Sequence, residues 1–182
     1  AVELALRTPR ALDCIEAVAA EVPEILAVAG TVLATDQLDE LHRRGVQAAV
    51  APGCNRAVVE HALSLGMSFA PGVCTPSDIE VALECGCTLL KFFPAEPSGG
   101  LAMLKSMAGP YAHLGLQFIP LGGLREHHVA TYLADGAIFA VGGTWIASSD
   151  LVESRDWAQI ESRARSAAEA AASVSAASGG TS

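Results

Sequence analysis

The chain has 182 residues, of which 51% are hydrophobic, and its formal net charge is -9 with a pI of about 4.9. The length suffices for one domain with a sizeable core, and the mean hydropathy of +0.38 excludes disorder for most of it. The acidic balance disfavours nucleic acid and anionic membranes as partners, because phosphates are bound by excess Lys and Arg. A small anionic substrate stays compatible, since it needs only one local basic pocket.

Short apolar runs alternate with helical patterns along the whole chain, which predicts seven strand–helix units. The predicted strands cover residues 2–6, 25–32, 46–53, 68–73, 89–96, 116–124 and 137–146. The helices that follow them are predicted over residues 8–23, 35–45, 55–66, 75–86, 99–111, 125–136 and 154–174.

Most of these strands are continuously apolar, which is typical of parallel strands covered by helices on both faces. Two α/β architectures fit: a (β/α)8 TIM-type barrel or an open doubly wound sheet. The regular repeat, and the lack of G-x-G-x-x-G after the first strand, favour the barrel. Because the sequence begins inside a strand, we expect the first βα unit to be missing, and a closed barrel of seven is the alternative.

The domain organisation predicted from this pattern is simple. Residues 1–170 form the barrel, with strands 2–8 and their helices, and residues 171–182 form a disordered tail of small residues.

Three charged residues share the predicted barrel interior. Function in such barrels lies at the carboxyl ends of the strands, and side chains alternate faces along a strand. Glu3 and Arg7 have the same parity, and Lys91 in "LLKFFPAE" points away from the helix-facing Leu90 and Phe92. A lysine in a dry site can attack a carbonyl as a neutral amine, an arginine can bind a carboxylate, and a glutamate can move protons. The trio suits a 2-oxo acid, although a buried ion network is the structural alternative.

Two Gly-Gly pairs follow the last two predicted strands, in "PLGGLRE" and "VGGTWI". Loops at these positions of a barrel often bind phosphate through backbone N–H groups. The Thr144 hydroxyl can add a further donor. The sequence therefore indicates an anion-binding end to the site.

The segments "VELALRT", "AGTVL", "APGCN", "PGVCTPSD", "KFFPAE", "GGL" and "VGGTW" occur in this order. Together they resemble the 2-dehydro-3-deoxy-6-phosphogluconate (KDPG) and 4-hydroxy-2-oxoglutarate (KHG) aldolases, which are class I Schiff-base enzymes. The resemblance implies a carbon–carbon lyase of the Entner–Doudoroff pathway, with a (β/α)8 barrel, a homotrimer and no cofactor or metal.

The resemblance also implies a role for individual residues. Lys91 would form the Schiff base and Glu3 would be the general acid/base. The implied substrate-binding residues are Arg7, Thr31, Pro52, Phe93, Gly122, Gly123, Gly143 and Thr144. One departure concerns specificity: the family has a threonine before the first Gly-Gly pair, where this chain has Leu121.

Alternatives remain for the substrate and for the class of protein. The same chemistry would cleave KHG or 2-dehydro-3-deoxy-6-phosphogalactonate, and a non-catalytic trimeric barrel or a nucleotide-binding doubly wound protein is less favoured. Five cysteines without zinc-type spacing indicate reduced thiols, and no apolar run approaches a membrane span of about 20 residues. We therefore expect a cytoplasmic enzyme that binds a small 2-oxo acid and neither nucleic acid nor membrane.

Overall fold

The computed structural model describes residues 1–178 of the chain. These divide into two compact units, Ala1–Phe93 and the remainder from Pro94 onward. The single barrel domain predicted over residues 1–170 stays a prediction. No helix in the described residues is long and apolar enough to cross a membrane.

The first unit alternates strands and helices in the predicted order. Its strands are β1 Val2–Ala5, β2 Ala27–Gly30, β3 Ala48–Val50, β4 Ser68–Ala70, β5 Gly72–Val73 and β6 Leu89–Phe92. Its helices are α1 Ala11–Glu21, α2 Thr35–Arg43, α3 Arg56–Ser64 and α4 Pro76–Glu84.

All pairings within the first unit are parallel, as the continuous apolar runs predict. β1, β2, β3 and β4 are neighbours in that order, and β5 pairs with β6. The register sets Ala5 against Gly30 and Gly72 against Lys91. Since parallel strands end at one edge of a sheet, this register brings the predicted strand-end residues to the same side.

Local sequence signals set the helix starts. Thr75 caps α4 by accepting the Asp78 N–H, while the Asp78 carboxylate accepts the Thr75 N–H at 2.9 Å. This reciprocal cap satisfies two donors that the first turn leaves unpaired. Asn55 caps α3 by accepting the Ala57 N–H at 3.1 Å. The helices bury one apolar stripe each, with Ile15, Leu38, Leu41, Val59 and Ile79 fully shielded from solvent.

The second unit is mainly helical. It contains α5 Gly100–Ala108, β7 Gln117–Pro120, α6 Val129–Leu133, α7 Ser149–Ser154 and α8 Trp157–Ser178. Short 3-10 turns cover Glu96–Ser98, Gly109–Leu114 and Glu126–His128. Its core contains the buried side chains of Leu104, Phe118, Val129 and Tyr132.

The last predicted strand, residues 137–146, is wrong as a regular strand. Only Ile138 forms a bridge, with Phe118. The Phe139 N–H donates to Phe118 O, and the next bond runs from the Gly142 N–H to Pro120 O. Between these two hydrogen bonds the segment advances by three residues, from 139 to 142, while β7 advances by two, from 118 to 120. The extra residue interrupts the regular ladder.

Two other boundaries differ from the sequence prediction. The predicted strand over 68–73 is two strands, because Pro71 between them has no N–H to donate. The predicted tail begins too early, since α8 runs to Ser178 through an alanine-rich stretch that favours helix. Residues 179–182 of that tail lie outside the described residues.

Candidate active site

Lys91 is the buried charged residue of the described chain, with only 5% of its surface exposed. It lies in β6, where the flanking Leu90 and Phe92 are fully buried, and its backbone N–H donates to Pro71 O at 2.8 Å. An ammonium group shielded from water requires a partner that offsets its desolvation. The sequence prediction that Lys91 points inward is therefore matched by its burial.

The partner of Lys91 is Glu3, 88 residues earlier in β1. The Lys91 Nζ donates to Glu3 Oε1 at 3.1 Å and to Oε2 at 3.4 Å. The lysine side chain is 6% exposed and the glutamate side chain 29% exposed, so the pair has one dry and one wet end. The 3.1 Å separation is within hydrogen-bond reach. It suits a buried ion pair, and it also allows a proton to pass between the amine and the carboxylate in acid–base chemistry.

Gly30 makes room for the Glu3 carboxylate. A Cβ placed on Gly30 would lie 2.2 Å from Glu3 Oε1 and 2.8 Å from its carboxyl carbon. β2 therefore presents bare backbone where β1 turns its carboxylate toward Lys91. Sequence reasoning assigned no role to Gly30, although its place at the end of a strand was the available signal.

Gly72 likewise leaves space, in this case for the backbone of Pro52. A Cβ on Gly72 would lie 2.2 Å from both the backbone carbon and the oxygen of Pro52. Gly72 is also the register partner of Lys91. The half-buried Pro52, predicted as a wall of the pocket, therefore packs on the strand next to Lys91, and the role of Gly72 was missed.

Thr31 has an unusual backbone conformation at the end of β2. Its φ is 59°, in the left-handed region that a β-branched residue rarely adopts. The loop that follows is held by the Gln37 side chain, whose Oε1 accepts the Leu33 N–H at 2.7 Å and the Ala34 N–H at 3.2 Å. Strain of about 1–3 kcal/mol of this kind is concentrated at functional sites.

Phe93 lies close to the Lys91 amine, whereas Arg7 makes no ion pair with Glu3. The Phe93 ring centroid lies 5.4 Å from Lys91 Nζ, within cation–π range. Arg7 is exposed, and its guanidinium has no ion pair with any residue that the structure describes. The predicted trio is thus a close pair, Glu3 and Lys91, with an arginine that is not bonded to it.

The residues predicted for the anion-binding end of the site all lie in the second unit. Gly122 and Gly123 have φ angles of 96° and 81°, and the Gly122 carbonyl accepts the Glu96 N–H at 3.0 Å. A Cβ on Gly143 would lie 2.3 Å from the Trp145 ring, and Thr144 is exposed in a turn. Their substrate-binding roles stay predictions.

Known proteins similar to this chain include aldolases. The family model "KDPG and KHG aldolase" matches residues 1–163. A 2-dehydro-3-deoxy-phosphogluconate aldolase of Haemophilus influenzae is 40% identical over 158 residues, which are 87% of this chain and 74% of that protein. A KHG/KDPG aldolase of Escherichia coli K12 is 37% identical over 169 residues, covering 93% of this chain and 78% of that protein.

Solved structures agree with the sequence comparison. The 2-keto-3-deoxy-6-phosphogluconate aldolase of Zymomonas mobilis ZM4, with 3-phosphoglycerate, has a TM-score of 0.82 at 36% identity, covering 91% of this chain and 76% of that one. The KDPG aldolase of Legionella pneumophila, with pyruvate captured as a covalent carbinolamine, has a TM-score of 0.82 at 29% identity, covering 93% and 79%.

These matches define the class of the protein first: it is an α/β enzyme of the TIM type and an aldolase, a carbon–carbon lyase. More particularly, the chain belongs to the KDPG and KHG aldolase family. The fold class and the enzyme class predicted from the sequence are therefore confirmed. A small-molecule substrate follows from the same family membership.

Proposed function

We propose that the chain cleaves KDPG reversibly into pyruvate and glyceraldehyde 3-phosphate through a Schiff base on Lys91. The observation that carries the proposal is the Lys91–Glu3 pair, in which a 5% exposed lysine contacts a carboxylate at 3.1 Å. The covalent carbinolamine of pyruvate in the Legionella enzyme supports a covalent intermediate in this family. The relatives that bear the KDPG aldolase name support the substrate.

Schiff-base formation begins with loss of a proton from Lys91. Glu3, within 3.1 Å of the amine, is the acceptor. The neutral Nζ then attacks C2 of the 2-oxo acid to give a carbinolamine. Glu3 returns its proton to the departing hydroxyl, which leaves as water, so that a protonated imine and a Glu3 carboxylate result. The hydrophobic neighbours of Lys91 keep other water away from this step.

Cleavage follows from the electron demand of the imine. Glu3 takes the proton of the C4 hydroxyl, the C3–C4 bond breaks, and its electron pair moves to C3 as the protonated imine becomes an enamine. The aldehyde leaves. Glu3 then returns a proton to C3, and hydrolysis of the imine frees pyruvate and Lys91.

Arg7 and Thr31 are proposed to bind the substrate carboxylate. A guanidinium binds a carboxylate through two parallel hydrogen bonds, and Arg7 has no ion pair among the described residues that would compete. The strained φ of 59° at Thr31 supports a role beyond packing. Pro52 and Phe93 would form apolar walls, with Phe93 already 5.4 Å from the amine.

Borohydride trapping tests the Schiff base directly. Pyruvate with borohydride should add one reduced pyruvate to the protein, and peptide mapping should place it on Lys91. Lys91→Met should abolish both trapping and turnover, whereas Lys105→Met should change neither, because Lys105 is 63% exposed and pairs with Asp135. A folded Lys91→Met protein that still traps pyruvate contradicts the proposal.

Leu121 favours a second candidate for the aldehyde half of the substrate. Leu121 places an apolar, half-buried side chain where the resemblance expects a threonine hydroxyl. KHG and the phosphogalactonate epimer are therefore alternatives. We expect kcat/KM to be highest for KDPG, to fall when its phosphate is removed, and to be lower for both alternatives. A higher value for KHG would replace the proposed substrate.

We also propose that the enzyme is a cytoplasmic homotrimer of the Entner–Doudoroff pathway. None of the five cysteines, which all lie in the described part of the chain, forms a disulfide, and this supports a reducing compartment. The resemblance to the aldolase family supports the trimer, and a designed cage of fused symmetric oligomeric domains is among the similar structures, with a TM-score of 0.83 at 27% identity. Light scattering on a sizing column should give three times the chain mass of 18.7 kDa.

A further inference from the structure

Glu96 lies at the centre of a polar cluster in the second unit. Its Oε1 accepts the Tyr132 hydroxyl at 2.5 Å, and its Oε2 lies 3.5 Å from His128 Nε2. Tyr132 is only 2% exposed, so this hydrogen bond is made away from water. Burial and the Glu96 carboxylate both raise the pKa of the Tyr132 hydroxyl, which keeps it a donor at all ordinary pH values.

The orientation of His128 follows from its other nitrogen. The Arg125 N–H donates to His128 Nδ1 at 2.9 Å, so Nδ1 carries a lone pair. The ring proton is therefore on Nε2, which faces Glu96. Glu96 thus accepts one hydrogen bond on Oε1, from Tyr132, while its Oε2 faces the His128 Nε2–H at 3.5 Å.

The same residue contacts the glycine loop (residues 121–123) through its backbone. The Ala95 and Glu96 N–H groups donate to Leu121 O at 2.8 Å and to Gly122 O at 3.0 Å. A Cβ on Gly123 would lie 2.8 Å from Glu96 Cβ, and φ at Gly123 is 81°. The loop therefore lies directly on Glu96 and can do so only with glycine at this position.

Gly100 completes the fit around the carboxylate. A Cβ there would lie 3.1 Å from Glu96 Oε1 and 3.3 Å from the Tyr132 hydroxyl oxygen. The side of the carboxylate that bonds Tyr132 is thus bordered by bare backbone. Glu96 thus accepts the Tyr132 hydroxyl of α6, lies against Gly100 of α5 and donates its backbone N–H to the glycine loop, so it connects the loop to both helices.

We propose that Glu96 is a positioning residue that holds the glycine loop in the conformation needed to bind the phosphate of the aldehyde half, and so sets the preference for phosphorylated aldehydes. The inference rests on the proposed function and on the substrate-binding roles that the family resemblance implies for Gly122 and Gly123. Glu96 itself touches neither the substrate nor the reacting atoms. Its effect passes through the two backbone hydrogen bonds and the contact with Gly123.

Glutamine at position 96 should disturb this arrangement without removing bulk. A carboxylate offers two acceptor oxygens, whereas the amide replaces one of them with an NH2 donor. One of the two donors, Tyr132 O–H or His128 Nε2–H, would then face another donor. Rotation of the side chain away from that clash would shift the loop that lies on it.

Condensation of pyruvate with two aldehydes provides the test. With saturating pyruvate, Glu96→Gln should raise KM for glyceraldehyde 3-phosphate about tenfold, which is about 1.4 kcal/mol, with little change in KM for glyceraldehyde. Borohydride trapping of pyruvate should stay at the wild-type rate. Glu161→Gln is the matched control, because Glu161 is 71% exposed and its ion-pair partner among the described residues is the exposed Arg165.

A second variant covers the case in which Glu96→Gln does not fold. Tyr132→Phe removes one donor and keeps the ring, and it should raise the same KM selectively by a smaller factor. Equal losses with both aldehydes, or wild-type KM values in a folded variant, overturn the inference. A wild-type protein that does not trap pyruvate refutes the proposed function instead, so the two failures are distinguishable.

Discussion

Replacing Gly30 with alanine should displace the carboxylate that the proposed mechanism uses. The new Cβ would lie 2.2 Å from Glu3 Oε1, whereas carbon and oxygen settle at about 3.3 Å. The carboxylate must therefore move by about 1 Å, away from its 3.1 Å contact with Lys91. A displacement of about 1 Å in a catalytic group costs about 100-fold in rate, or about 2.7 kcal/mol of barrier.

The assay is steady-state cleavage of KDPG with coupled detection of pyruvate, alongside urea denaturation. We expect kcat to fall about 100-fold while the unfolding midpoint changes little, because the displaced group is the 29% exposed end of a flexible side chain. Gly109→Ala is the matched control, since a Cβ there meets nothing within 4 Å and its φ is -49°. A folded Gly30→Ala enzyme within twofold of the wild-type kcat would refute the reasoning.

Two further predictions concern stability and thiol reactivity. Gly72→Ala should lower the free energy of unfolding by about 1–3 kcal/mol, because its Cβ would meet the Pro52 backbone at 2.2 Å. An unchanged urea midpoint would contradict this. Burial, and then the nearby Cys85, raise the pKa of Cys54 to about 11. Its thiolate fraction at pH 8 is therefore on the order of one part in a thousand. Iodoacetamide at pH 8 should label the exposed Cys14 at least about tenfold faster than Cys54, as followed by peptide mapping, and equal rates would refute the assignment.

Local periodicity was sufficient for much of the first unit. The apolar runs located its strands, and the helix predicted over residues 75–86 contains α4, Pro76–Glu84. Alternation along β6 correctly indicated that Lys91 points away from the layer of Leu90 and Phe92. These features depend on neighbours within a few residues, which the sequence shows directly.

The second unit was predicted less well at its end. The segment 137–146 has the composition of a strand, yet the step from Phe139 to Gly142 against β7 breaks the ladder. Ladder formation depends on the partner strand, so composition alone could not show the extra residue. The alanine-rich end of α8 shows the opposite case, since small residues suggested a tail where helix propensity prevailed.

For the site, the sequence by itself determined the chemical inventory: a lysine in a dry strand, and a glutamate and an arginine of matching parity on another. Only the tertiary structure decided that Glu3 and Lys91 meet at 3.1 Å, that Arg7 is not bonded to them, and that Gly30 leaves the space. It also decided that Glu96 accepts the Tyr132 hydroxyl and lies 3.5 Å from His128. Parity along a strand is a local property, whereas contact between residues 88 positions apart depends on how the strands pair and pack.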